Sequence, residues 1–154
     1  MPTVPPGVRL HKGWFNETLP RLLDAPDIPL EQRNHPAVAF AHMDADLYDS
    51  TWVVLSTLAT RCRLCVGTVL AFDELFGSPA VELHEWRALQ DAARCFDFSF
   101  QFISYVGHPK SAFGRAAVRL TRVSPCTARR KLDTRWRRHD GGSTCAYKSR
   151  IRVV

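Results

Sequence analysis

Two aspartates, Asp44 and Asp46, follow the continuously apolar run "AVAFAHM" (37–43) and precede a helix-like segment. The placement recurs at "TVLAFDEL", where Asp73 and Glu74 close a second apolar run. Runs of this kind suit the buried strands of a parallel sheet. In such a sheet, ligands bind beyond the carboxyl ends of the strands, and strands joined by one helix are commonly neighbours. The two acidic pairs would then converge, with strand ends about 5 Å apart. Carboxylates that close raise one another's pKa unless a cation neutralises them. Mg²⁺ suits the place, because it takes carboxylates, waters and substrate oxygens together. The plainer alternative makes Asp46 and Asp49 solvated helix-start acids, favoured by the helix dipole. The recurrence at Asp73 and Glu74 weighs against it.

Other residues with chemical potential read more simply. His42 lies inside the first apolar run and fits a strand histidine better than a general base. His84 and Glu85 open a later helix, where His84 fits a solvated face better than the acidic site. Trp14 and Phe15 fit core packing better than a substrate wall, and His108 and Lys110 fit a hairpin loop. The five cysteines include one CxxC, Cys62 to Cys65. A lone CxxC without a second ligand pair favours reduced thiols over zinc.

Periodicity supplies the elements that would carry these groups. A short strand is expected over 7–12, then a helix over 17–23 capped by Asn16. Residues 24–36 form a proline-rich loop with one helical turn at 30–33. A strand follows over 37–43, covered on both faces. Asp49 or Ser50 caps a helix over 50–60, with Val54, Leu55 and Leu58 inward. Gly67 opens a strand ending at the second acidic pair. After "GSP" a helix runs from 80 to 96, and strands over 98–106 and 115–123 pair antiparallel. Alternation of strand and helix implies an α/β fold, mostly parallel, with helices on both faces.

The net charge of +6 sits in one place. Residues 124–154 hold nine Lys/Arg and two acids, and the remaining 123 hold twelve bases and thirteen acids. The body therefore lacks the charge excess of a nucleic-acid binder. The tail, without apolar period, is expected to be disordered, and only Trp136 and Tyr147 interleave its basic residues. No stretch approaches the roughly 18 apolar residues of a membrane span. No signal peptide is visible, so the expected location is cytoplasmic.

Three stretches, "HKGWFNETLP" (11–20), "MDADLYDST" (43–51) and "GTVLAFDEL" (67–75), resemble the macrocin O-methyltransferase (TylF-like) family of class I S-adenosylmethionine-dependent methyltransferases. Together they are fairly specific, and the resemblance covers about residues 8–123. It implies a Rossmann-like sheet whose last two strands form a hairpin. It implies metal-assisted methyl transfer to a hydroxyl of a small molecule, commonly a sugar. Metal ligands would be Asp44, Asp73 and Glu74, with catalytic roles for Asp46 and Asp44. Glu74 stands where the family often has Asp or Asn. No G-x-G-x-[GA] occurs in the chain. The resemblance thus implies a C-terminal portion, residues 1–123, that lacks its N-terminal strands and most of the S-adenosylmethionine site. Activity of this truncated form alone is not expected. Two further readings stand beside it: a DxD glycosyltransferase-like enzyme, for which "DAD" has the right spacing, and a non-enzymatic module binding through its basic tail. A homo-oligomer is compatible with all three.

Overall fold

The computed structural model describes residues 3–24, 38–76, 84–107 and 114–125. In chain order the elements are α1 (Phe15–Asp24), β1 (Phe40–Met43), α2 (Tyr48–Thr60), β2 (Val69–Phe76), α3 (Glu85–Cys95), β3 (Phe98–Gly107) and β4 (Gly114–Val123). The strands form one sheet in the order β1-β2-β4-β3. β1 and β2 are parallel, whereas β4 runs antiparallel to both β2 and β3. The fold is α/β, and the hairpin of β3 and β4 stands where the sequence places it. The sheet is mixed rather than mostly parallel, because residues 7–12 form no strand and β4 inserts beside β2.

α2 and α3 pack on each other and on one face of the sheet. Trp52, Leu55 and Leu58 of α2 and Ala88, Leu89 and Ala92 of α3 share one core cluster with Leu70 and Phe72 of β2 and Val118 and Leu120 of β4. Alternation puts Val69, Ala71 and Asp73 on the other face, away from that core. There Phe40 is 61% exposed, so β1 is not covered on both faces as its apolar run suggests. Among the described residues, only Met43 of β1 is fully buried. Helices on both faces are therefore not found for α2 and α3.

Local signals set most boundaries. Gly67, at φ 95°, makes the turn into β2, and its N–H donates to the Leu120 carbonyl, which fixes β2 against β4. The buried Thr68 hydroxyl donates to the Val38 carbonyl at 2.7 Å, anchoring the approach to β1. α1 starts at Phe15 rather than at a capping Asn16, and the Trp14 carbonyl accepts from Thr18. It carries Pro20 within it and buries no residue fully. Arg61 with Asp24 (2.8 Å) and Arg63 with the Leu23 carbonyl (2.9 Å) tie its end to the turn after α2. Trp14, at 78% exposed, and Phe15 are not core residues. α2 starts at Tyr48 with Leu47 in the cap position, so neither Asp49 nor Ser50 caps it. The expected turn at 30–33, the start of the helix before residue 84, His108 and Lys110, and the tail beyond Pro125 lie outside the described residues.

Candidate functional site

The parallel ladder pairs Met43 with Phe72 at its last step. Asp44 follows the end of β1 and Asp73 is the next residue of β2, so the two acidic segments lie side by side, one step past the last ladder pair. The surroundings differ at the two positions. The chain after β1 turns sharply: Asp46 adopts the left-handed conformation at φ 55°, and the Leu47 N–H closes the turn on the Ala45 carbonyl. A left-handed non-glycine residue is uncommon, and aspartate tolerates it better than most. Asp44 and Asp46 are exposed, and Ala45 between them is half-buried.

Asp73 and Glu74 do not end their strand, because β2 continues through Leu75 to Phe76. The ladder with β4 slips here: Phe72 pairs with Ala116 and Phe76 with Gly114, so three residues of β2 face the single residue Arg115. Such bulges bend a strand and redirect its side chains. The Arg115 guanidinium fills the gap, its Nε donating to Asp73 Oδ1 at 2.7 Å. A cation already accompanies this carboxylate.

Behind the loop lies Glu85, the first residue of α3, only 1% exposed. Its Oε1 accepts from the Ala45 N–H at 3.2 Å and from the Thr51 hydroxyl at 3.4 Å. Its Oε2 is buried without a hydrogen-bond partner. Burial pushes the Glu85 carboxyl above the ordinary carboxylate range, and the Asp46 charge adds to this; the N–H groups of Ala45 and Glu74 and the Thr51 hydroxyl oppose it. Leu47 and His84 form a lone antiparallel bridge, which closes the loop against the start of α3.

The structure thus brings Asp44, Asp46, Asp73, Glu74, His84 and Glu85 to one end of the β1/β2 pair. His42 stays apart, exposed on the open sheet face. The fit to a metal ion is incomplete. Carboxylates on two adjacent strands are donors of the right kind. Among the described residues, however, no group of three or more His, Cys, Asp or Glu is placed to hold one, and Asp73 is engaged by Arg115. The "CRLC" segment gives no ligand pair: Cys62 is disulfide-bonded, contrary to the expected reduced thiol, while Cys65 is free.

Glu85 is the residue that the sequence undervalues. A glutamate in a first helical turn is ordinary, since the dipole favours it. Its burial arises from the approach of the Asp44–Asp46 loop forty residues earlier, for which the sequence carries no local signal. A second buried acid, Asp91, is by contrast fully engaged. It accepts from Tyr48 at 3.1 Å and pairs with Arg87 and Arg94 on its own helix. Burial and the Asp91 charge push the Tyr48 hydroxyl pKa up, so this group joins α2 to α3 rather than doing acid–base work near neutral pH.

No protein-family model matches the chain, and no curated protein matches it. Among the described residues, no helix is long and apolar enough to cross a membrane.

Proposed function

We propose that the chain is part of an S-adenosylmethionine-dependent O-methyltransferase of the macrocin type, acting on a hydroxyl of a small molecule such as a sugar. The observation that carries this reading is the side-by-side placement of Asp44 and Asp73 at neighbouring parallel strands, one step past the Met43–Phe72 pair. The β3–β4 hairpin that ends the sheet agrees with it. S-adenosylmethionine supplies an electrophilic methyl group on a sulfonium sulfur. Asp46, exposed on its turn, would accept the proton of the substrate hydroxyl that receives this methyl group, with S-adenosylhomocysteine as the leaving product. Asp44, on the same loop, orients the hydroxyl by hydrogen bonding. Arg115 keeps Asp73 paired, and Asp73 borders the substrate on the β2 side. Because the acidic side chains do not gather around a metal position, no step is assigned to Mg²⁺.

The DxD glycosyltransferase reading rests on the spacing of Asp44 and Asp46 alone. Calorimetric titration of the full chain with S-adenosylhomocysteine and, separately, with a uridine diphosphate sugar distinguishes the two. The methyltransferase reading expects heat from S-adenosylhomocysteine and none from the sugar nucleotide. Binding of the sugar nucleotide alone would overturn it.

A further inference from the structure

We infer that Glu85 is the positioning residue of this site: from the first turn of α3 its carboxylate pins the peptide between Asp44 and Asp46 and so sets the direction of both aspartates. The inference rests on the proposed role of those aspartates, and its test separates the two. A fully buried carboxylate is uncommon unless paired, and among the described residues no Lys, Arg or His forms an ion pair with Glu85. Its Oε1 holds the Ala45 N–H and the Thr51 hydroxyl, the Glu74 N–H also acts on the carboxylate, and the buried Oε2 makes no hydrogen bond of good geometry. A core has no use for such a group, because an apolar side chain or a neutral acceptor would serve packing at less cost.

The geometry shows what it does serve. Glu85 draws the Ala45 peptide toward α3, and Asp44 and Asp46 stand exposed on either side. The left-handed Asp46 and the turn closed from the Leu47 N–H to the Ala45 carbonyl follow directly on the held peptide. The Leu47–His84 bridge fixes the far end of the loop to the residue preceding Glu85. The loop is therefore clamped at two adjacent points of one helix start, through its backbone, with both aspartate side chains left free for substrate.

The test compares the full wild-type chain with E85Q, which keeps an oxygen acceptor of the same length, and E85A, which removes it. Amide hydrogen exchange is read at Ala45 and Leu47, with Leu70 and Val118 as reporters of the sheet. In E85A the Ala45 and Leu47 amides should exchange about tenfold faster while the sheet amides are unchanged. E85Q should restore protection. Hexose affinity should fall about tenfold in E85A and recover in E85Q. Unchanged Ala45 exchange in E85A would overturn the inference. So would loss of protection at Ala45 together with the sheet in both variants, since Glu85 would then merely hold the fold. If the exchange pattern appears but the wild-type chain binds neither hexose nor S-adenosylhomocysteine, Glu85 remains the pin and the methyltransferase reading fails.

Discussion

Glu85 carries an ionisable group where the protein is dry, and its pKa shift has a consequence for stability. The carboxyl is raised in the folded chain, chiefly by burial. Above the ordinary carboxylate value, the folded chain therefore binds more protons at this group than the unfolded chain does, until pH passes the raised folded value. Stability from this group is present below the ordinary carboxylate value of about 4.5 and is lost as pH rises through the raised folded value. Thermal unfolding across pH should show wild type losing stability relative to E85Q as pH climbs above 4.5, with the two variants closest at acid pH. An E85Q curve parallel to wild type throughout would show that the residue is not protonated preferentially in the fold. Asp44 and Asp46 stand out in the sequence by type and spacing, and the structure leaves both exposed on one loop. Glu85 does not stand out, because its burial is decided by a loop distant in sequence.

At the scale of elements, the β3–β4 hairpin is closed at one end by charge. Asp97, in the turn between α3 and β3, accepts from Arg122 at 2.7 Å and from the Ser124 hydroxyl. These bonds hold its carboxyl down to about 2. Here the sign is the opposite of that for Glu85. The contribution is present above the ordinary value of 3.8 and disappears as pH falls toward 2. D97N should abolish this part of the acid sensitivity. Because the pair is solvent-exposed, added salt should mimic the substitution. A wild-type acid transition identical to that of D97N would contradict the assignment. Most elements were legible because their signals are local: the aromatic run of β3, the alternation in β4, and the stripe of Leu55 and Leu58 in α2. The failures came where tertiary context decides. Residues 7–12 look like a strand but have no neighbour to pair with among the described residues. Asp73 and Glu74 look like a strand end, whereas the bulge opposite Arg115 carries β2 past them.

For the molecule as a whole, one core between the α2–α3 pair and one sheet face holds the site together. Phe72 lies at its centre, 1% exposed, and is also the last residue of the parallel ladder before the acidic segment. Phe72→Ala should lower unfolding free energy by about 3–5 kcal/mol in denaturant titration, and it should loosen the relation between the β1 and β2 ends before the rest of the sheet. A loss below about 1 kcal/mol would mean that this core does not set stability. The fold class was legible from alternation of strand and helix. The exposure of Phe40 and the one-sided placement of α2 and α3 were not, since an apolar run shows what a strand could bury and not what lies against it.

Under the proposed function, the substrate lies against the Asp44–Asp46 loop, the β2 bulge and the start of α3. Amide chemical-shift mapping of the full chain, with S-adenosylhomocysteine and a hexose added in turn, tests it most directly. Shifts should concentrate at Asp44 to Leu47, at Asp73 and Glu74, and at His84 and Glu85, and D46N should weaken the hexose response. Shifts confined to the open sheet face around His42, or to the basic residues beyond 124, would contradict it.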